Sequence, residues 1–239
     1  LVFTTAYAVN KGFESIARAS EILVVIVVII AITITLLLIE KFDFSNFLPL
    51  WPSNWRAIFK SSFNVLAFPF GETIVLLAVF YQFDKTKKVF PSYFWGSLLA
   101  FVVLLQVVVR NTAVLGEFSK YSSYPAYDAA RLANVAQIIS RVEVLISINY
   151  MFAGYIKVTS TYYVLCRALK EIFSLPSYKR LVFPLGALIS LTVISHQSTI
   201  VQNLFFVIEI YPYYAIIPQF FIMLIAAVLL LLKRKRVAL

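Results

Sequence analysis

The sequence is short of charge. Asp, Glu, Lys and Arg make up 13% of its 239 residues, about half the share usual in a soluble domain, which excludes a chain solvated on all sides. Cysteine is nearly absent as well. The single Cys166 rules out an internal disulfide and any cysteine-cluster metal site. One histidine, His196, stands beside Gln197 and Ser198 at the outer end of an apolar stretch and reads as a solvated interfacial residue. There is no phosphate-binding glycine loop, no His/Asp/Glu cluster and no nucleophile constellation, so neither enzyme activity nor a cofactor is expected. No soluble domain, short-period repeat, low-complexity tract or signal peptide is visible. The sequence opens on Leu1 instead of methionine, and residues 1–10 read as the end of an earlier apolar helix, so an N-terminally truncated chain is expected.

What remains is apolar. Hydrophobic residues account for 62% of the chain and the mean hydropathy is +0.89. Uncharged stretches cover 22–39, 89–109, 181–208 and 210–232. Two more stretches of spanning length hold one charge each, 61–83 with Glu72 and 144–166 with Lys157. At 1.5 Å per residue such segments cross a hydrocarbon core of about 30 Å. The expectation is an all-α polytopic membrane protein, a single transmembrane domain over 1–239 with helices at 22–39, 61–83, 92–115, 144–166, 181–196 and 212–232. Residues 126–140, following the Pro125 breaker, read as a helix lying on the outer face. The net charge of +10 belongs to short loops and reports orientation, not nucleic acid. Thirteen Lys and Arg fall on the side that includes the KRKR tail and seven on the other, which predicts a cytoplasmic C-terminus. Trp51, Trp55, Tyr93, Trp95, Tyr211, Tyr213 and Tyr214 sit at span ends as in interfacial belts.

Two constellations stand out. The first is FPFGE, residues 68–72, in the middle of the 61–83 span. Pro69 has no N–H to give the Val65 carbonyl, and the amides of the residues after it begin a second half-helix. A helix broken at mid-membrane offers free carbonyls on one side and a positive N-terminus on the other, a suitable lining for a small-molecule or ion site. The alternative is a simple proline kink in which Glu72 caps its own half-helix. The second constellation is Glu143, Ser147, Tyr150, Gly154, Lys157 and Thr161, whose spacing of three and four residues puts them on one helical face. This stripe is either functional or a small-residue packing seam, and Lys157 either faces the protein interior or snorkels to water. Gln106 and Arg110, one turn apart, either pair inside the bundle or mark an interfacial arginine.

A family resemblance joins these features. YAVNKGFESIARASEI at 7–22, FPFGE at 68–72, YPAYDAARLANVAQIISRVE at 124–143 and GYIKVTS at 154–160 resemble the spore germination permease family. These are B subunits of nutrient germinant receptors, within the amino acid/polyamine/organocation (APC) transporter superfamily. The resemblance implies a ten-helix 5+5 inverted-repeat fold in which helices one and six are broken at the site. The six expected spans then correspond to helices five to ten, with the broken helix at 61–83. It further implies nutrient sensing, with an ion-coupled amino-acid permease as the alternative. Implied partners are a receptor A subunit, a lipoprotein C subunit and a small nutrient such as an amino acid, nucleoside or sugar, and the implied location is the spore inner membrane. Ligand contacts are expected at Phe68, Pro69, Phe70, Gly71, Glu72, Ser147, Tyr150 and Gly154, and a cation-mimic or ion position at Lys157 and Thr161.

Overall fold

A computed structural model describes residues 1–49, 54–80, 86–133, 141–196, 199–225, 227–229 and 232. Among them the chain is helical. Contacts divide it into two compact units, Leu1–Leu50 with Ala78–Gln197, and Trp51–Leu77 with Ser198–Leu239.

The first unit begins with α1 (Val2–Lys11) and α2 (Phe13–Leu37), separated by one residue. Gly12 makes this junction at φ 105°, a conformation closed to most side chains, while its amide still closes α1 onto Ala8 and Val9. The expected span at 22–39 therefore starts earlier, because NKGFESIARASE is helix from Phe13 onward and carries an exposed Glu14–Arg18 pair one turn apart. Along α2, Ile22, Val25, Ile29, Ile32 and Leu36 are exposed at alternating spacings of three and four. A continuous apolar stripe of this kind requires hydrocarbon around it. Ile16, Ala31 and Ile34 bury the other side.

Helix α4 (Leu77–Phe80) reaches the first unit at Ala78, and α5 (Thr86–Leu115) follows. The carbonyl of Ala113, near the C-terminal end of α5, accepts hydrogen bonds from the Asp43 amide and the Asn46 side chain, both at 3.0 Å. Short α6 (Pro125–Arg131) packs against both α5 and α7 (Glu143–Ile172) through Ala126, Ala129 and Ala130. Small side chains let helix backbones approach where lipid offers no hydrophobic drive for association. The expected outer helix at 126–140 is present in its first half, and 134–140 lies outside the described residues. Helix α7 packs on α1, α2 and α8 (Lys179–Ser195). Tyr162 donates to the Val182 carbonyl of α8, and a Cβ at Gly186 would come within 2.8 Å of that hydroxyl, so glycine is what admits the tyrosine.

The second unit contains α3 (Trp55–Ala67), a 3₁₀ segment (Phe70–Leu76), α9 (Ile200–Phe205), a π turn (Phe206–Ile210), α10 (Tyr211–Ile216) and a second π turn (Ile217–Ile222). A capping box at Thr199 and Gln202 starts α9, twelve residues before the expected span at 212–232. Wide turns then carry the helix past Glu209 and Pro212 without ending it.

Among the described residues, four helical stretches are long and apolar enough to cross a membrane: Phe13–Leu37, Trp55–Phe80, Lys88–Lys120 and Ile200–Leu229. The expected spans at 144–166 and 181–196 coincide with α7 and α8. The first is helical throughout but more polar, and the second has 17 residues, about 25 Å of rise.

Candidate functional site

The site is built around the end of α3. Asn54 caps its start by accepting from the Ala57 amide, and the last helical bond runs from the Phe68 amide to the Asn64 carbonyl at 2.8 Å. Phe68 is extended at φ −137° and ψ 118°, as expected for the residue before proline. Pro69 has no donor to continue the ladder, and the chain resumes as the tighter 3₁₀ turn at Phe70. The break thus falls at Phe68 and Pro69, with Gly71 and Glu72 in the first turn beyond it.

The polar groups at this break are met by side chains of the same unit. Gln219 Nε2 donates to the Ala67 carbonyl at 3.1 Å and lies 3.4 Å from the Tyr211 hydroxyl. Tyr211 in turn donates to Glu72 Oε1 at 3.0 Å, and its ring stands edge-on to Phe68 at 5.9 Å. Gly71 is the floor under Gln219. Any Cβ at residue 71 would collide with the Gln219 carboxamide, whose Oε1 is buried without a hydrogen-bond partner among the described residues. Glu72 thus has its polar partner in Tyr211 of α10, within the same unit. Toward the start of α3, Asn64 Nδ2 donates to the Ile208 carbonyl at 3.1 Å, inside a π turn, and Lys60 Nζ pairs with both Glu209 oxygens at 2.7 and 2.8 Å. Broken backbone, carboxylate, phenol and carboxamide form one connected network in an otherwise apolar segment.

Sequence reasoning missed Tyr211, Gln219 and Glu209. Tyr211 resembles an interfacial aromatic, and its partner is 139 residues away. The signal available was the lone Glu209 between two long uncharged stretches.

In the first unit, the stripe on α7 does occupy one face. Ser147, Tyr150, Lys157 and Thr161 are exposed, whereas Ile146, Thr159, Tyr162, Tyr163 and Cys166 are buried on the side packed against α1, α2 and α8. Ser147 and Thr161 donate to carbonyls of their own helix, those of Glu143 and Lys157. A Cβ at Gly154 would meet nothing within 4 Å among the described residues, so Gly154 is not a contact point for another helix of this unit. The structure shows neither of the two readings offered for Gln106 and Arg110, a mutual pair or an interfacial arginine. Gln106 turns to Thr35 and the Ala31 carbonyl of α2, while Arg110, 1% exposed, gives Nε and Nη2 to Asn111 Oδ1 at 3.2 and 3.0 Å. Outside the spans, Tyr178 approaches the Val9 carbonyl at 3.5 Å and faces the Arg167 guanidinium, and burial raises its hydroxyl pKa.

Comparison with known proteins sets this geometry in a family. The family model described as Spore germination protein, the spore permease family, matches residues 1–201. The chain belongs to that family. Spore germination protein KB of Bacillus subtilis (strain 168) is similar at 23% identity over 241 aligned residues, covering 99% of this chain. The chain spans 65% of the length of that relative. No solved structure matches the chain. Membership in the spore permease family, together with four apolar helices of spanning length among the described residues, marks an integral membrane protein.

Proposed function

We infer that the chain is the ligand-sensing, transporter-like part of a nutrient germinant receptor. The observation that carries this reading is the network at the broken helix, where Gln219 and Tyr211 close over the Ala67 carbonyl and Glu72 inside a membrane-length segment. Backbone irregularity at such depth is stable only where protein or a water-lined cavity satisfies it. A small polar nutrient competes for the groups that Gln219 and Tyr211 now hold, and this exchange gives two states with different polar partners. A ligand that favours one of two such states shifts their populations, which is what a sensor requires.

In this reading the chain provides helices five to ten of a 5+5 inverted-repeat transporter fold, forms one transmembrane domain with its C-terminus in the cytoplasm, and resides in the spore inner membrane. It works with an A subunit and a lipoprotein C subunit. Nutrient contacts come from Phe68 to Glu72 and from Ser147, Tyr150 and Gly154. Lys157, with Thr161 one turn on, supplies a fixed positive charge where transporters of this fold hold an ion, so the receptor needs no coupled ion cycle.

Exchange of this region between paralogous B subunits tests the reading. Germinant specificity is expected to move with the exchanged region, and proteoliposomes holding the intact protein are expected to show no ion-driven uptake of the germinant. Gradient-driven uptake would favour an amino-acid permease instead. Specificity that stays with the recipient would reduce the protein to a scaffold.

A further inference from the structure

Along α5, Phe101, Leu105, Val108 and Leu115 follow one another at four, three and seven residues and so share one helical face. Phe101, Leu105 and Val108 are exposed, and the stripe runs up to Leu115, which lines a cleft of about 440 Å³ where the end of α5 meets α6. Val114, Leu115, Phe118 and Leu132 give this cleft apolar walls, while Asp128 and Arg131 of α6 bring one charge of each sign.

The surroundings set its depth in a bilayer. The membrane-length stretch Lys88–Lys120 ends five residues beyond Leu115. Glu117 and Lys120, on the 3₁₀ segment Gly116–Lys120, form an exposed ion pair at 2.9 Å, and Phe118, Tyr121 and Tyr124 are exposed beside it. Charge and aromatic rings on one short segment mark the headgroup level. The α5 stripe below it lies in hydrocarbon, and the cleft lies among headgroups.

The two charges in the cleft do not neutralise each other. Asp128 and Arg131 are three residues apart on one helix, near enough to pair, yet no ion pair joins them among the described residues. Asp128 Oδ2 accepts from the neutral Ser122 hydroxyl at 2.5 Å, and Arg131 has no hydrogen bond or ion pair to another described residue. A carboxylate and a guanidinium held apart in one cleft fit a group that carries an ammonium and an anion a short distance from each other.

We propose that this cleft seats the headgroup of phosphatidylethanolamine, with the ammonium donating to Asp128, the phosphate held by the Arg131 guanidinium and an acyl chain lying along the α5 stripe. The planar fork of a guanidinium matches two phosphate oxygens. A primary ammonium has N–H groups to give a carboxylate, whereas the quaternary nitrogen of choline has none and a glycerol headgroup brings no cation. The stripe favours a lipid over a soluble zwitterion, because only a lipid extends from the cleft into hydrocarbon. The site depends on the chain's place in a membrane and not on the broken helix of the second unit being the nutrient site.

The test is native mass spectrometry of the purified intact protein in detergent, titrated with phosphatidylethanolamine, phosphatidylcholine and phosphatidylglycerol of identical acyl chains. Phosphatidylethanolamine is expected to bind about tenfold more tightly than phosphatidylcholine, the worth of one hydrogen bond to a charged group, and more tightly than phosphatidylglycerol. Asp128→Asn is expected to remove most of the preference over phosphatidylcholine, and Arg131→Gln to weaken all three lipids, because each carries a phosphate. Equal binding of the ethanolamine and choline lipids in the parent, an undiminished preference in Asp128→Asn or undiminished affinity in Arg131→Gln would overturn the site. Arg131 bonds to no other described residue, so Arg131→Gln decides if Asp128→Asn fails to fold. Tighter binding of phosphatidylglycerol than of phosphatidylethanolamine would overturn the assignment in favour of a general anionic-lipid contact. Displacement of the lipid by free leucine or O-phosphoethanolamine would overturn it in favour of a soluble zwitterion.

Discussion

The broken helix in the second unit and the polar face of α7 in the first contain similar residues and treat them in opposite ways. At the break, the Ala67 carbonyl is answered by Gln219, Glu72 by Tyr211, Lys60 by Glu209 and the Ile208 carbonyl by Asn64. On α7, Ser147 and Thr161 fold their hydroxyls back onto their own helix, a Cβ at Gly154 would meet nothing within 4 Å among the described residues, and Tyr150 stands 6.3 Å from the Tyr124 ring at the start of α6. The difference separates two uses of polarity in a membrane. On the proposed reading a ligand opens the closed network, whereas the α7 hydroxyls of Ser147 and Thr161 are met by their own helix.

The largest effect should come from the closed network. Glu72→Leu removes the acceptor for Tyr211 and leaves the 61–83 segment without a charge. It is expected to insert normally and to reduce nutrient sensitivity in spore germination by more than about tenfold, equivalent to about 1.4 kcal/mol. A parental dose-response would place Glu72 outside the sensing path. Tyr211→Phe is milder, because the ring still packs on Phe68 while the hydroxyl is lost. Hydrogen bonds between membrane helices are worth about 0.6–2 kcal/mol, so a shift of roughly threefold to thirtyfold is expected in the same measurement. An equal deficit in Tyr214→Phe, whose hydroxyl takes no part in the network, would erase the distinction between Tyr211 and an ordinary aromatic.

The α7 face should respond more weakly and only in the assembled receptor. Lys157→Met keeps the stem and removes the charge, and it is expected to impair signalling more than Lys120→Met, while the parent's nutrient response is expected to be independent of sodium. If Lys157→Met germinates like the parent at all sodium concentrations, its ammonium is merely snorkelling.

The smallest effect concerns Asp43, outside the spans. It caps the short 3₁₀ turn Phe44–Phe47 by accepting from Ser45, and this bonding lowers its carboxyl pKa. A depressed folded-state pKa means stability that is present above the unfolded value of about 3.9 and lost as the pH falls through the folded one. Asp43→Asn should therefore flatten the acid limb of the Tm profile slightly. An unchanged limb would show that the cap is energetically silent.

Much of this arrangement was legible locally. Pro69 and Gly71 locate the break to within a residue because a missing donor acts on its own turn, and spacing alone places Ser147, Tyr150, Lys157 and Thr161 on one face of α7. The apolar run at 212–232 announces a span, but the lone Glu209 sets its start too late, since helix runs from Ile200 and passes Glu209 in a π turn. The partners were not legible. Nothing near Glu72 points to Tyr211, because the pairing depends on a π turn that re-aims the chain after Glu209. Arg110 and Gln106 look like a pair at one-turn spacing, yet Thr35 of α2 offers Gln106 a better partner and leaves Arg110 to Asn111.

The central claim, that nutrient acts on the closed network, is most directly tested by the germinant dose-response of spores carrying Gly71→Leu beside spores carrying Gly96→Leu. A side chain at residue 71 collides with the Gln219 carboxamide, whereas one at residue 96 meets nothing within 4 Å among the described residues. The account predicts normal amounts of both proteins in the membrane, with the response lost in Gly71→Leu and retained in Gly96→Leu. A parental dose-response in Gly71→Leu would contradict it.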